Sequence, residues 1–523
     1  METVCTKRGE AGNLSKEKST FHSFSLLAGI TIIEKIIAFV FEAIIAAVIG
    51  TNIITDGYFT SAELFTLIDT AFLSSITVVA LNRYSYHVNN EGEENGFEFL
   101  SNLQSFYLPI MVALSIVLYF AARPISFLVA PGYGEDARAV VIRCIRVMAV
   151  IPSIVCITSV GLAVLRQKKK FGITGLKSLF ISVVGIISVL IFGRGELKNA
   201  DLLSVAYIIS IVGYCLLVTI FVRKYGTIRF HKPTVTPELK HTFTMLLPLM
   251  VSYGVGRLAL MVDKIIASTL TVGSVSGLTY AHSLYKVVAA IFVTNLCIII
   301  LTDFNNLCAR KETEKVERTL RRTIATMTLI LIPITVVTVF NSNEIVKIVY
   351  ERGKFSSDAT VLVGGVLLFY ALNFVPVMIQ GIYNQALYAF GDTLKPMIIA
   401  VFSVVVNLGT SIPLTAVIGL PGVAIGTVIS TVGSVVFARI VLRKYLPDYK
   451  GCYSINYIWK TAISTAVCIC LVFLVETTIR NHFASFVVST IISFGIFFVC
   501  LIVLKEETTI SYLKAFMKKL RKA

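Results

Sequence analysis

Apolar segments long enough to cross a bilayer recur from one end of this chain to the other, and nothing in the sequence constrains the fold more tightly. About fourteen can be marked: 24–50, 58–85, 103–122, 140–165, 172–193, 202–222, 241–268, 275–302, 321–340, 359–390, 396–417, 421–442, 457–476 and 484–504. Within lipid every backbone N–H and C=O must be satisfied inside the segment itself, so each is expected to be a helix. With 56% of 523 residues hydrophobic and 15% charged, there is too little polar surface for a soluble protein of this length. The expected fold class is an all-α polytopic membrane protein.

Cations outnumber anions, 47 Lys and Arg against 30 Asp and Glu. Their positions argue against nucleic acid as a partner, because they gather at the ends of apolar segments, where they set topology. Placing the N-terminus in the cytoplasm puts RQKKK (166–170), Arg223 and Lys224, RKETEKVERTLRR (310–322), Arg443 and Lys444, and the tail LKAFMKKLRKA on the cytoplasmic side. Both termini are therefore expected there, the tail as an amphipathic helix on the anionic leaflet. Lys7, Arg8, Lys16 and Lys18 precede the first apolar run, which is too long and too charged for a cleaved leader and reads as a retained helix. The ten cysteines show no metal-ligand spacing.

EAIIAAVIG (42–50) aligns with DKIIASTLT (263–271), and GYFTSAEL (57–64) aligns loosely with GLTYAHSL (277–284). Two six-helix lobes in the same orientation follow, with two helices appended. The expected organisation is a cytoplasmic segment at 1–23, a first lobe at 24–230, a second at 231–450, two helices over 451–504 and a basic tail at 505–523. Parallel repeats of this kind suggest a transporter.

Charges inside the spans point the same way. The first span carries Glu34, Lys35 and Glu42, with Lys35 and Glu42 seven residues apart on one face; the second carries Glu63 and Asp69 after Asp56. The seventh brings Arg257, Asp263 and Lys264, and the eighth opens with Tyr280, His282 and Lys286. Ionisable side chains at such depth either pair with one another or line a water-filled space. Asp56, Arg83, Lys286 and Asp303 suit ion pairs or interfacial snorkelling. Glu34, Lys35, Glu42, Asp69, Arg257, Asp263 and Lys264 suit a polar cavity, since charges occur at related positions of both halves, and His282 is expected to line it with them. No phosphate-binding loop, nucleophile constellation or HExxH motif is present, so no enzyme activity is expected.

The stretches VDKIIASTLTVGSVSGLTYAHSL (262–284), IVYERGKFSSDAT (348–360), YAFGDTLKP (388–396) and GLPGVAIGTVIS (419–430) resemble the MurJ/MviN family of lipid II flippases. The resemblance covers almost the whole chain, and best its second half. It implies six plus six plus two helices, alternating access, and a cationic cavity that grips a polyprenyl diphosphate through arginines on helices one, two and eight. This chain departs from that pattern. The helix-one Arg-Asp pair reads Phe41-Glu42, an earlier arginine corresponds to Lys35, the helix-two arginine falls at or near Asp69, and YADRL reads YAHSL with His282 and Ser283. A diphosphate grip would have to be rebuilt from Lys35, Arg257, Lys264 and Lys286. The family's sodium site maps to Asp263, Asn407 and Thr427, with Ser411 in place of a second acid.

The function expected from this resemblance is a flippase for a polyprenyl-diphosphate-linked glycan, lipid II by default, in the cytoplasmic membrane of a bacterium. Coupling to sodium or to membrane potential, no other cofactor, and contact with lipids and cell-wall synthesis enzymes go with it. The rivals are a cation-coupled drug exporter of the same superfamily, which the acidic first lobe would suit, and a scaffold that has lost transport.

Overall fold

The computed structural model describes residues 33–192, 199–447, 449, 451, 453, 455–479, 482–506 and 509–510. The expected cytoplasmic segment 1–23 and the amphipathic tail helix lie outside the described residues. Everything regular in the described residues is helical. The chain divides into two units, Met1–Met261 and Val262–Ala523. The division falls inside a helix, later than the lobe boundary placed at 230/231.

In the first unit, α1 runs over 33–48 and turns at Gly50, whose φ of 83° an L side chain adopts only under strain. Helix α2 (Ile53–Asn90) starts at once, because Asn52 and Thr55 form a reciprocal capping box. Next come α3 (Glu93–Phe120), α4 (Ala122–Val129), α5 (Glu135–Met148), α6 (Ile151–Gln167), the single turn α7 (Phe171–Thr174), α8 (Lys177–Phe192) and α9 (Asn199–Val222). The extended run before α10 (Pro237–Ala267) is laced to one face of α3. Ser101 and Ser105 accept from the backbone N–H groups of Arg229 and His231 at 3.0 and 3.1 Å, and Asn102 bonds both backbone groups of Thr234. Ile76, Tyr84, Leu100, Leu103, Val160 and Leu165 are the centre of this unit's core.

The second unit holds α11 (Ser274–Ala289), a π-helical turn over Ala290–Thr294, and α12 (Asn295–Ala309). Then follow α13 (Thr313–Phe340), α14 (Ser342–Tyr350), α15 (Ser357–Leu372), α16 (Phe374–Ala389), α17 (Leu394–Ile418), α18 (Pro421–Leu442), α19 (Ile455–Thr478) and α20 (His482–Val503). Like α1, α10 is followed by a glycine at positive φ, Gly273 at 91°. The ERG-F stretch is a helix stop. Arg352 donates to the carbonyls of Ile348 and Val349, Gly353 takes a φ of 64°, and buried Phe355 packs edge-on to Tyr280.

Among the described residues, eight helices are long and apolar enough to span a membrane, and eleven if three bent pairs are each one span. Two of the bends have a cause in the sequence. Pro152 and Pro376 have no N–H to bond the carbonyls of Met148 and Leu372, which are the last residues of α5 and α15. Those pairs bend by 41° and 45°. The expected count of fourteen is not established. The three remaining segments are helical but short or broken: 33–48, Lys177–Phe192, and the run interrupted at Ala290–Thr294.

Candidate functional site

Two sets of polar side chains lie inside the helices, one in each unit, and they differ in kind. In the first unit the charges are paired. Lys35, half exposed, reaches Glu34 at 3.6 Å; Arg257 reaches Glu63 on α2 at 3.6 Å; and Lys177, at the start of α8, bonds Asp69 on α2. An unpaired charge at the centre of a bilayer costs about 2.5–3.5 kcal/mol on insertion scales, so pairing is what lets carboxylates sit on α2 at this depth. The 3.6 Å separations are too long for a tight charge-assisted hydrogen bond, which leaves Arg257 and Lys35 able to exchange partners.

Lys177 supplies what the sequence comparison lacked. Where the resemblance implies an arginine on the second helix, this chain has Asp69, and the positive charge returns from α8 across an ion pair. A solitary lysine opening the very apolar Lys177–Phe192 was the only signal for it. Glu63 is part of the set as well, as the partner of Arg257. Phe41, at the other lost arginine, is buried, and its ring lies where a Cβ on Gly185 would stand, 2.4 Å away. That position is apolar packing. Glu42 beside it is half-buried.

In the second unit Asp263 is 3% exposed and is the acid of an oxygen-rich group. Thr427 Oγ1 lies 3.3 Å from Asp263 Oδ2 and 3.1 Å from the carbonyl of Val423, so its one proton serves two acceptors. Asn407 Nδ2 donates to the same hydroxyl at 3.2 Å. Asn407 and Ser411 stand one turn apart on α17, and Thr415 another turn on. Asn407 Oδ1, Ser411 Oγ and Thr415 Oγ1 are buried with no hydrogen-bond partner among the described residues. Interhelical hydrogen bonds in membranes average about 0.6 kcal/mol, too little to explain so many buried oxygens by stability alone. Gly426 makes the approach of α18 to α17 possible, since a Cβ there would meet Ser411 Oγ at 2.0 Å. Oxygen ligands around one carboxylate fit a hard monovalent cation; a divalent ion would leave uncompensated positive charge in a buried site.

His282 packs among aromatic rings, stacked on Tyr285 at 5.7 Å and against Tyr370 at 5.6 Å, and Lys264 is half-buried. Lys286 is exposed.

A family model described as "Lipid II flippase MurJ" matches residues 45–497. A probable lipid II flippase MurJ of Rickettsia prowazekii is 26% identical over 422 residues, 78% of this chain and 81% of that one. One from Aquifex aeolicus is 25% identical over 513 residues, 94% of this chain and 96% of the other. Among solved structures, lipid II flippase MurJ in an inward closed conformation superposes with a TM-score of 0.79 at 19% identity, covering 92% of this chain and 99% of that one. An inward-facing multidrug resistance MATE family transporter of the MOP superfamily reaches 0.63 at 15% identity, covering 79% and 95%. The fold is that of an integral membrane transporter, and this chain belongs to the lipid II flippase MurJ family.

Proposed function

We propose that the chain translocates lipid II, or a closely similar polyprenyl-diphosphate-linked glycan, across the cytoplasmic membrane of a bacterium by alternating access. The observation that carries this reading is the family match across residues 45–497. The chemistry of the first unit supports it in altered form. Arg257, Lys177 and Lys35 each face a carboxylate, so a diphosphate binds by exchange, drawing a cation away from Glu63 or Glu34. Such a site binds cargo only by opening an ion pair, and the carboxylate released must then be neutralised by a proton or another cation. Coupling is assigned to a sodium ion at Asp263, Asn407, Ser411 and Thr427, with the membrane potential acting on the same charge. Both termini lie in the cytoplasm in this reading, with cell-wall synthesis enzymes as neighbours.

A drug exporter is the second reading, favoured by four carboxylates in the first unit, Glu34, Glu42, Glu63 and Asp69, which suit a lipophilic cation. Expression of this chain in a bacterium depleted of its own lipid II flippase separates the two. Restored growth and wall synthesis are expected. Lysis despite normal membrane levels, with raised resistance to lipophilic cations, would overturn the flippase reading in favour of export.

A further inference from the structure

Arginines gather once more in the first unit, away from the charge pairs described above. Helices α4 and α5 enclose a pocket of about 450 Å³ lined by Arg123, Phe127, Glu135, Arg138, Arg143 and Arg146. On α5 Glu135, Arg138, Arg143 and Arg146 lie on one broad helical face, with Asp136 at its margin, and this face meets Arg123 and Phe127 on α4, themselves one turn apart. Four arginines therefore line the pocket with one lining carboxylate, Glu135, while Asp136 and Asp201 stand next to it in the same region. Arg143 is held by Asp201 at 3.4 Å. Arg138 lies flat over the Phe127 ring at 3.8 Å and gives one N–H to the carbonyl of Pro131 at 3.3 Å. Its Nε is buried with no hydrogen-bond partner among the described residues. Arg146 faces the Tyr119 ring. Ring contacts support the guanidiniums of Arg138 and Arg146, and planar, multiply donating arginines lining one pocket suit phosphate oxygens.

Beside the pocket, Phe120 and Leu128 are 76% and 73% exposed, and Pro124 is exposed with them. Apolar side chains at the end of a spanning helix belong among acyl chains, with the arginines at headgroup level. Most cations of this chain lie at the opposite ends of its helices, so topology does not account for four arginines here. We propose that this pocket is a binding site for the phosphate of a membrane lipid, whose chains lie along Phe120 and Leu128 while its headgroup oxygens bond Arg138 and Arg123. Only the assignment of this surface to the outer leaflet rests on the flippase orientation above; the binding does not.

The test uses the full-length protein in detergent, with lipid retention read by native mass spectrometry and affinity by titration. Three phosphate sources are offered: short-chain phosphatidylglycerol, a short polyprenyl diphosphate and inorganic phosphate. Phosphatidylcholine is the control. One or both anionic lipids are expected to bind more tightly than phosphatidylcholine and free phosphate. Arg123→Gln combined with Arg138→Gln is expected to lower that affinity about tenfold, the loss of a charge-assisted bond. The exposed single change Arg123→Gln, which spares the fold, should lower it in part. Unchanged affinity in both variants, or equal binding of phosphatidylcholine, overturns the site. Inorganic phosphate binding as tightly as either lipid overturns the lipid as its ligand. Because binding is read in detergent, failure here is distinct from failure of the transport reading, which growth rescue reports.

Discussion

The two units solve the problem of buried polarity in opposite ways. The first keeps full charges inside and pairs them: Glu63 with Arg257, Asp69 with Lys177, Glu34 with Lys35. The second concentrates neutral oxygens around one acid, leaving Asn407 Oδ1, Ser411 Oγ and Thr415 Oγ1 unbonded among the described residues. In the proposed reading a paired set answers a large anionic cargo, because its cations can turn from carboxylate to phosphate while the released carboxylate takes up a proton or another cation. An oxygen-rich set with a single negative charge answers a small cation, because binding fills lone pairs that nothing else uses. In the reading proposed above, this difference divides the labour, with cargo assigned to the first unit and coupling to the second.

The sharpest way to break that division is Arg257→Glu. It places a second carboxylate against Glu63 and removes a phosphate donor, so growth rescue by the variant should be lost, with flipping down about a hundredfold or more, since a broken charge pair costs about 2–5 kcal/mol. Arg257→Lys should retain part of the activity. Full rescue by Arg257→Glu at normal membrane levels would remove the first unit's claim on the cargo. Next in size is Asp263→Asn. Transport is expected to fall about tenfold, the scale of a coupling free energy between sites. What remains should no longer respond to sodium, and sodium-dependent thermal stabilisation of the purified protein should vanish. A variant still stabilised by sodium would move the cation site elsewhere.

Much of this was legible in the sequence, and the limits have physical reasons. Spans can be read because lipid demands continuous apolar helix, whereas their bends cannot, since Pro152 and Pro376 stand at breaks while Pro109 and Pro413 lie within unbroken helices. Asp263, Asn407, Ser411 and Thr427 could be placed because the resemblance to the MurJ/MviN family maps its sodium site onto them. The structure brings Asp263, Asn407 and Thr427 within hydrogen-bonding distance, with Ser411 on the same face of α17 as Asn407. Lys177 was not read as part of the site, since an ion pair between α2 and α8 joins residues 108 apart and leaves no local pattern. His282, expected in a polar cavity, stacks on Tyr285 one turn along the same helix, a contact that i, i+3 spacing gives, and packs against Tyr370 on α15, a contact that no spacing rule gives. The arginine face of α5 was visible as EDARAVVIRCIRVM, but only its meeting with α4 makes a pocket.

The smallest effect tests packing rather than charge, and it too distinguishes the units. Gly185 and Gly426 each leave room for a neighbour's side chain, but the neighbours differ in what they can yield. At Gly185 the obstacle to a Cβ is the far edge of the Phe41 ring, which can swing by a χ rotation. At Gly426 it is Ser411 Oγ at 2.0 Å and, behind it, the Ser411 Cα at 2.9 Å, which moves only if α17 moves. Gly185→Ala should therefore lower stability by less than about 1 kcal/mol, and Gly426→Ala by about 1–3 kcal/mol, the range for overpacking a close contact. Thermal melts in detergent read both. Because the backbone shift at Gly426 displaces Ser411 and Asn407 from Thr427, its melt should also lose sensitivity to sodium, while the melt of Gly185→Ala keeps it. Equal melts and equal sodium responses would mean that close helix approach in the second unit serves packing alone, and that the unbonded oxygens of α17 owe nothing to it.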